Sequence, residues 1–291
     1  MLDVIIALIP TSVAGCIIFG LRSLLVITAC VVAAVLSEFL FNLIVKKEQT
    51  VADLSAVVTG LLLALNLRAD TPIWQCVLGS VFAIVVVKCL FGGIGCNFAN
   101  PALTARIFLF ISFAKTIGGG AAPTIVELTS KATPLELIGS ATPDSLPDLW
   151  SMLLGLHSGQ IGEVCSLALI IGFIYLVARR VINFEVPLIL VGTVFVLSMI
   201  ITNDPTQALY QVLSGGLLIG AIFMATDYTT TPITRGGRML FALCAGIITV
   251  IIRFFGSYPE GVSFAILIMN ILSPYLERIT KRNILGGKKN A

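Results

Sequence analysis

The longest polar stretch of the chain, residues 118–160, contains the side chain best suited to chemistry in water, the hydroxyl of Thr133. Thr133 stands before a proline in Ser130-Lys-Ala-Thr-Pro-Leu135, in a segment that an enzyme could reach. A second candidate, Thr142, follows in Gly139-Ser-Ala-Thr-Pro143. Taken alone, a Thr-Pro pair in a loop usually forms a turn or a helix cap. The pair by itself therefore indicates local structure more than chemistry.

Charged side chains at membrane depth are the next candidates, because such charges are costly and usually face an interior or a cavity. Lys88 and Arg253 stand at corresponding helix ends, and each either reaches back to water or contacts an anion or a partner helix. Arg106 lies inside an apolar run, so a side chain that reaches back to water explains its position less well. Asp227 is a candidate for one end of an ion or cofactor site. Three more acidic residues flank short apolar runs: Asp53, Glu163 and Glu260.

The sequence Gly92-Gly-Ile-Gly-Cys-Asn97-Phe-Ala-Asn100-Pro101 interrupts the apolar pattern. It lacks both the preceding strand and the Gly-Lys-Ser/Thr ending that nucleotide-binding loops need. Glycine and proline at a helix end leave backbone groups unpaired, and at membrane depth these groups must be buried in protein or line a cavity. Gly92, Gly93 and Asn97 therefore form either a tight interhelical turn or a broken helix wall around a bound cofactor.

Composition restricts the class of protein. Of the 291 residues, 57% are hydrophobic and only 11% are charged, against about 25% charged in soluble domains. This indicates an integral membrane protein, and the first residues predict a membrane helix instead of a removable signal peptide. The seven cysteines form no Cys-x-x-Cys pair, and there is a single histidine, His157. We therefore expect no metal site, no haem with two histidine ligands and no nucleic-acid partner.

The apolar runs predict an all-α polytopic protein with ten spans of about 20 residues each. The predicted spans are 2–20, 23–45, 53–67, 73–92, 100–117, 161–178, 184–201, 207–226, 239–255 and 261–276. The third and the tenth are short, which suggests broken or tilted helices. The chain then divides into a five-helix half (1–117), a loop (118–160), a second five-helix half (161–276) and a basic tail (277–291).

Lysine and arginine in the short loops predict the orientation, because such residues favour the cytoplasmic side. Lys46-Lys47, Arg179-Arg180, Arg235 with Arg238, and the basic tail all fall on one side if there are ten spans. That side also holds both termini. The loop 118–160 is acidic apart from Lys131 and therefore faces the outside.

The two halves resemble each other weakly. Thr59-Gly-Leu-Leu-Leu-Ala-Leu65 is similar to Gly215-Gly-Leu-Leu-Ile-Gly-Ala221, and Val85-Val-Val-Lys-Cys-Leu-Phe-Gly92 to Val250-Ile-Ile-Arg-Phe-Phe-Gly256. Both similarities join spans five apart. A unit of five spans re-enters the membrane upside down, so this pattern predicts an inverted repeat.

Four further stretches, together with the Thr133 segment, resemble the membrane D subunit of Rnf complexes, which is related to the B subunit of the sodium-pumping NADH:quinone reductase. In chain order, the stretches are Asp53-Leu-Ser-Ala-Val-Val-Thr-Gly-Leu-Leu-Leu-Ala-Leu-Asn66, Lys88-Cys-Leu-Phe-Gly-Gly-Ile-Gly-Cys-Asn-Phe-Ala-Asn-Pro101, Gly220-Ala-Ile-Phe-Met-Ala-Thr-Asp227 and Arg253-Phe-Phe-Gly-Ser-Tyr-Pro-Glu-Gly-Val-Ser-Phe-Ala-Ile-Leu267. They cover most of the chain in the right order.

The resemblance implies flavin mononucleotide (FMN) joined to a threonine by a phosphoester, which a separate flavin transferase makes. Thr133 has the fuller context, with Ser130 before it and Pro-Leu after it, and Thr142 is the alternative. Lys131 stands where the family usually has Gly or Gln, and its cation could pair with the phosphoester. The family also implies a second, non-covalent flavin such as riboflavin. The glycine-rich stretch, Lys88, Arg253 and Asp227 are candidates for holding it or a flavin phosphate.

The predicted function is a non-autonomous redox subunit of a prokaryotic cytoplasmic-membrane complex that couples electron transfer from ferredoxin to NAD⁺ with pumping of Na⁺ or H⁺. The chain has no NAD fingerprint, so the substrates must bind to partner subunits of the A, B, C, E and G types. The alternative is a secondary transporter or channel with an inverted repeat. That alternative explains the spans and the interrupted helices but not the Ala-Thr-Pro segment.

Overall fold

The computed structural model describes residues 1–124, 133–139, 146–256 and 260–280. Ser130, Lys131 and Thr142 lie outside the described residues. Within them the structure is helical, and an isolated bridge between Ala121 and Gly159 is the one strand-like feature. The helices are α1 (Leu2–Phe19), α2 (Leu21–Val45), α3 (Ser55–Leu65), α4 (Ile73–Val81), α5 (Pro101–Ser112), α6 (Ala114–Ile117), α7 (Pro134–Gly139), α8 (Leu149–Leu154), α9 (Ser166–Ala178), α10 (Glu185–Thr202), α11 (Pro205–Leu213), α12 (Leu217–Ile219), α13 (Arg235–Phe255) and α14 (Val262–Thr280).

The helix lengths confirm an all-α polytopic membrane protein. Five described helices are long and apolar enough to cross a bilayer alone: α1, α2, α10, α13 and α14. A sixth candidate is a bent pair, in which α11 and the segment Leu217–Met224 meet at 65°. Four more apolar helices have 10–17 residues, namely α3, α4 with its continuation to Cys89, α5 and α9. The count of ten crossings and the division into five and five stay predictions.

Two details of the predicted spans are wrong. The tenth span is not short, because α14 runs for 19 residues to Thr280. The strongly broken element is instead the eighth, where Gly215 adopts φ +69° between α11 and α12. The sixth span begins at Ser166, since residues 161–165 form a turn.

Several helix starts are specified locally by the sequence. The side chain of Asn100 accepts hydrogen bonds from the backbone N–H groups of Ala102 (3.1 Å) and Leu103 (3.3 Å). Asp204 does the same for Thr206 at 2.8 Å. In both helices proline is the first helical residue, where its missing N–H costs nothing. These caps set where α5 and α11 begin.

Two segments continue as π-helix, Phe82–Cys89 after α4 and Gly220–Met224 after α12. A π-helix closes its hydrogen bonds over one residue more than an α-helix, and such segments often occur at functional sites. The first ends in Lys88-Cys89, and the second is followed by Ala225-Thr226-Asp227. Both therefore lead into candidate site residues.

Helices pack closely where glycine replaces a side chain. A Cβ added to Gly60 in α3 would lie 2.9 Å from the backbone of Cys30 and Val31 in α2. A Cβ on Gly172 in α9 would lie 2.5 Å from the carbonyl oxygen of Ala7 in α1. Small residues at such crossings let membrane helices gain van der Waals contact. These contacts join α2 to α3 and α1 to α9.

The outer surface of the described bundle is strongly apolar. Ile44 in α2 is 78% exposed, Ile200 in α10 is 70% exposed and Phe255 in α13 is 78% exposed. An exposed apolar surface of this kind suits hydrocarbon, in which every backbone polar group is bonded inside its own helix. The bundle thus faces lipid or partner subunits with its sides and keeps its polar side chains for the interior and the two ends.

Candidate functional site

Lys88 lies in a buried polar cluster and does not reach out to water. Its side chain is 3% exposed, and its ammonium donates to Glu38 Oε1 at 2.8 Å and to Ser55 Oγ at 2.5 Å. Thr50 donates to the same oxygen of Glu38 at 2.6 Å. Asp53 accepts from the backbone N–H of Ser55, the first residue of α3, at 2.7 Å. The ammonium of Lys88 is thus well paired, whereas Glu38 Oε2 has no partner among the described residues.

A cavity opens beside this pair. Its empty volume, which includes open solvent, is about 920 Å³. Lys88, Asn97, Asn100 and Asp227 supply its polar lining, and apolar side chains such as Phe223 supply most of the rest. We call this space the Lys88 cavity.

Asp227 belongs to the wall of the Lys88 cavity. Its carboxylate accepts from Asn100 Nδ2 at 3.2 Å and from Thr229 Oγ1 at 2.9 Å. Burial raises the pKa of the Asp227 carboxyl, while the hydrogen bonds from Thr229, Thr230 and Asn100 oppose that shift. The structure therefore brings Lys88 and Asn97 to one cavity with Asp227, which is distant from both in sequence.

Gly92 and Gly93 are not among the residues lining the Lys88 cavity. They adopt φ values of +118° and +102°, which only glycine takes readily, and an added Cβ on Gly93 would meet nothing within 4 Å. They make the turn that returns the chain from the end of the π-helical segment toward α5. Asn97, four residues on, does reach the cavity.

Thr133 forms a helix cap and is buried. Its backbone N–H donates to Glu136 Oε2 at 2.9 Å, and the backbone N–H of Glu136 donates to Thr133 Oγ1 at 3.3 Å. This reciprocal pair is a capping box at the start of α7. Thr133 is 4% exposed, and its methyl group would lie 2.9 Å from a Cβ placed on Gly120.

A small pocket lies beside Thr133. Glu136, Gln160, Glu260 and Phe110 line it with Thr133, and its empty volume is about 260 Å³. We call it the Thr133 pocket. Leu135, two residues after Thr133, is also buried and would contact a Cβ placed on Gly215. Helix α7 thus packs against the break between α11 and α12.

Arg106 connects the Thr133 pocket to the membrane interior. Its guanidinium donates to Glu260 in a charged pair, to Ser263 Oγ at 2.5 Å and to Asn66 Oδ1 at 3.2 Å. Gln160 Nε2 donates to the other oxygen of Glu260 at 2.8 Å. Residues from α5, the end of α3 and the start of α14 therefore meet at one buried charge.

Arg253 is buried against the helix break. It donates to the carbonyl oxygen and side chain of Gln211 and, at 3.1 Å, to the carbonyl oxygen of Ser214. The last carbonyls of a helix lack partners within the helix, so Arg253 completes the end of α11. The sequence left open whether Arg253 reaches back to water or contacts an anion or a partner helix. The structure shows contact with a partner helix, α11. Lys88 and Arg253 occupy equivalent positions in two similar sequence stretches, yet they lie in two separate polar clusters.

Some polar atoms near the Thr133 pocket have no hydrogen-bond partner among the described residues. They include both carboxyl oxygens of Glu163, Oε1 of Gln160, Nε2 of His157 and Nε of Arg253. Glu163 is 2% exposed and His157 is 1% exposed. Burial lowers the pKa of His157 and so disfavours its protonated form. Buried polar groups are normally paired, and similar unpaired atoms lie elsewhere among the described residues, for example Glu38 Oε2 and Asn270 Oδ1.

Sequence reasoning missed several members of these clusters. Glu38 is a lone carboxylate inside an apolar helix, and the rule that charge at membrane depth faces a partner would have singled it out. Glu136 follows Thr133 at the capping-box spacing, which is a readable signal. Asn66 and Gln160 carry no sequence signal of their own, because only the fold brings them to a charge.

The comparisons with known proteins cover nearly the whole chain. The model of the NQR2, RnfD, RnfE family matches residues 1–286. The D subunit of the Na⁺-translocating ferredoxin:NAD⁺ oxidoreductase complex of Acetobacterium woodii is 42% identical, over 99% of this chain and 91% of that protein. The proton-translocating counterpart of Clostridium ljungdahlii is 37% identical, over 99% and 92%. The D subunit of the ion-translocating oxidoreductase complex of Escherichia coli K12 is 31% identical, over 99% and 94%. The chain therefore belongs to the NQR2, RnfD, RnfE family.

Proposed function

We propose that this chain is the D subunit of an ion-translocating ferredoxin:NAD⁺ oxidoreductase complex of a prokaryotic cytoplasmic membrane. It carries FMN as a phosphoester on Thr133 and passes electrons across the bilayer. The observation that carries the proposal is the match to D subunits of such complexes over nearly the full length of both chains. The partners are subunits of the A, B, C, E and G types and the flavin transferase that attaches the cofactor.

Thr133 supplies the hydroxyl to which the phosphoester attaches. The charged groups that line its pocket are Glu136 and Glu260. The guanidinium of Arg106 lies behind Glu260 and balances the charge of that carboxylate. With an empty volume of about 260 Å³, the pocket is smaller than the range of about 300–1,000 Å³ typical of drug-sized ligands. The phosphoester and the flavin ring must therefore lie beyond this pocket, or α7 must move.

The Lys88 cavity suits a second, non-covalent flavin. It is mostly apolar and has the few converging polar groups that orient a ligand. Asn97, Asn100 and Asp227 offer amide and carboxyl groups that could recognise the polar edge of a flavin or a ribityl chain. The charge of Lys88 is already balanced by Glu38, so a neutral flavin such as riboflavin fits this cavity better than a phosphate.

Bound flavins supply the redox chemistry, and the chain supplies an anchor, orientation and exclusion of water. Thr133 holds one cofactor by a covalent bond. Asn97 and Asp227 orient the other, and the apolar helices around them keep water out. The substrates bind to partner subunits, so the isolated chain does not turn over NADH.

The attachment is tested by in-gel fluorescence. The membrane-expressed chain, made together with a flavin transferase, is run on a denaturing gel and illuminated. We expect a fluorescent band from the wild type and from Thr142→Val, and a dark band from Thr133→Val. Valine keeps the shape of threonine and removes only the hydroxyl, so the loss reports the attachment atom.

Two outcomes would contradict the proposal. Fluorescence that Thr133→Val keeps and Thr142→Val loses would move the attachment to Thr142. A dark wild-type band in the presence of active transferase would remove the covalent flavin altogether. In that case the broken pair α11–α12 and the Lys88 cavity would favour the transporter alternative.

A further inference from the structure

We propose that helix α7 leaves its place on the break between α11 and α12 when Thr133 is modified, and that the attached phosphoester then keeps it away. We call α7 docked when Thr133 and Leu135 are buried, as they are in this structure. The docked arrangement is that of the unmodified chain. This inference rests on the proposed function, because it needs the flavin on Thr133.

The docked arrangement hides the hydroxyl of Thr133. The residue is 4% exposed, and its Oγ1 accepts from the backbone N–H of Glu136 at 3.3 Å. Its methyl carbon packs so closely on Gly120 that a Cβ added there would lie 2.9 Å away. A transferase must bring the phosphorus of its donor to about 3–3.5 Å from Oγ1 before the bond can form. Docked α7 therefore does not offer Thr133 for modification.

Attachment also adds a group that the docked arrangement cannot hold. In that step the Thr133 O–H bond and a phosphoanhydride bond of an activated FMN donor break, a P–O bond to Oγ1 forms, and the departing phosphate takes the proton. The product is a negatively charged phosphodiester that carries the flavin. The enclosed part of the Thr133 pocket has room for no more than a single water molecule.

The charge that faces Thr133 opposes a phosphoester. The carboxylates of Glu136 and Glu260 line the Thr133 pocket. A phosphate beside Asp or Glu is repelled by like charge, and the repulsion is strong where little water screens it. The start of a helix favours a phosphate, but that attraction lies within the α7 segment and is kept when α7 moves as a unit. The balance therefore favours release.

The nearby cations have other partners. Arg106 pairs with Glu260, and Arg68, which lies next to Gly119, pairs with Asp70. Arg253 donates to the end of α11. None of these three guanidinium groups lines the Thr133 pocket. The negative charge of its lining is therefore not reversed at the place where the phosphoester would be.

The wall against which Thr133 packs is fixed by hydrogen bonds. Ala121 and Gly159 exchange two backbone hydrogen bonds of 2.9 and 3.1 Å, one on each side of the bridge. Arg68 holds the same segment through the carbonyl oxygen of Gly118 at 2.6 Å. Gly120 lies between these two ties, so this wall does not yield to a larger group on Thr133.

Helix α7 is the side that can yield. It has six residues, and the two hydrogen bonds of its capping box join Thr133 to Glu136, within the segment itself. The buried side chain of Leu135 makes its contact with the bundle, 3.3 Å from a Cβ placed on Gly215. Segments with few buried apolar contacts are those that open locally. Release of α7 exposes Leu135.

The test measures the exposure of position 135. Leu135→Cys is made in a Cys96→Ser background, which removes the exposed native cysteine. The full chain is purified in detergent, from cells with and without the flavin transferase. Labelling by a maleimide follows the released fraction, so we expect it to be roughly ten- to a hundredfold faster in the flavin-carrying chain. In-gel fluorescence measures how much of the chain carries flavin.

The matched control is Leu135→Cys combined with Thr133→Val and made with the transferase. This chain has no hydroxyl to modify, so position 135 should stay protected. The Cys96→Ser chain alone gives the labelling of the remaining cysteines. Position 135 labelled equally fast in the flavin-carrying chain and in the control would overturn the proposal, and so would equally slow labelling of both.

The wild-type chain provides a second measurement if Leu135→Cys does not fold. A six-residue helix away from the bundle is marginal by itself. A glutamate-specific protease should therefore cut after Glu136 faster in the flavin-carrying chain, with the cut identified by the mass of its fragments. Equal cutting with and without flavin would contradict the release of α7.

The outcomes separate this proposal from the attachment itself. A fluorescent gel band with position 135 still protected would overturn the release of α7 and leave the flavin on Thr133. A dark wild-type band in the presence of active transferase would remove the attachment, and this proposal with it.

Discussion

At the scale of single residues, the interior of this protein is organised around a few buried charges. Lys88 with Glu38 and Arg106 with Glu260 are the two buried ion pairs among the described residues. Each pair has at least one further hydrogen-bond partner, such as Ser55 or Ser263. Such pairs add little net stability, but breaking one leaves an uncompensated charge. Their residues are therefore sensitive sites even if they touch no cofactor.

Removal of Lys88 should be strongly destabilising, and removal of both partners much less so. Lys88→Met leaves Glu38 charged and buried, at a cost of about 3–5 kcal/mol. The double variant Lys88→Met/Glu38→Gln should recover most of that loss. Thermal unfolding in detergent, followed by size-exclusion chromatography, measures both. Equal losses in the single and double variants would show that the ion pair is not the reason.

The acid sensitivity of the fold should depend on His157. Burial lowers the pKa of this ring, so the folded state binds a proton there less readily than the unfolded state does. The stability contributed by the neutral ring is present above the ordinary pKa, and is lost as the pH falls through the lowered pKa of the folded state.

His157→Gln should therefore flatten the acid side of the stability profile. Thermal unfolding measured from about pH 8 down to about pH 5 spans the range in which histidine titrates. The wild-type unfolding temperature should fall more steeply than that of the variant. Parallel curves would assign the acid loss to other groups.

At the scale of elements, most helices were predictable; the interruption at residues 92–101 was predicted too, but the break at Gly215 was not. The predicted runs 2–20 and 23–45 coincide closely with α1 and α2, because a long apolar run has no other stable form in a bilayer. Hydropathy contains no information on a break inside an apolar run. The bend at Gly215 depends on Arg253 completing the end of α11, a contact between distant parts of the chain.

The same limit applies to the candidate site. Thr133 was predicted as the attachment residue from resemblance, and its capping partner Glu136 was readable from spacing. The partners of Arg106 were not predictable, since Asn66, Ser263 and Glu260 converge only after the helices pack. The sequence therefore identified the charged residues, and the packing of the helices determines which partners each of them has.

The crossing of α2 and α3 should depend on Gly60. A Cβ at this position would lie 2.9 Å from backbone atoms of Cys30 and Val31, which cannot turn aside. Gly60→Ala should therefore separate the two helices and destabilise the fold by about 1–3 kcal/mol, the usual cost of overpacking.

Gly192 in α10 is the matched control, since nothing lies within 4 Å of a Cβ added there. Gly192→Ala should be neutral, or stabilising by up to about 1 kcal/mol, because alanine favours helix. Thermal unfolding of the two alanine variants in the same detergent compares them directly. Similar unfolding temperatures would show that the close crossing of α2 and α3 can relax.

At the scale of the whole molecule, polar contacts group the connections at two ends of the bundle. At one end Arg68 donates to the carbonyl oxygen of Gly118 and forms an ion pair with Asp70. At the other end Asp227 bonds to Asn100, and the Lys88 cavity is also lined by Met1 and Val181. This grouping agrees with an N-terminus on the side of the Lys88 cavity and with the Thr133 pocket on the opposite side.

If the positive-inside pattern holds, the Lys88 cavity faces the cytoplasm and Thr133 the exterior. Cys96 is exposed near the cavity, and Asp70 is exposed near the other end. A membrane-impermeant maleimide should therefore label Cys96 in inverted vesicles but not in intact cells. In a Cys96→Ser background, Asp70→Cys should show the reverse, with Cys96→Ser alone as the blank. Labelling of both positions from the same side would refute the orientation. A flavin on Thr133 would then not lie across the membrane from the side on which ferredoxin and NAD⁺ react.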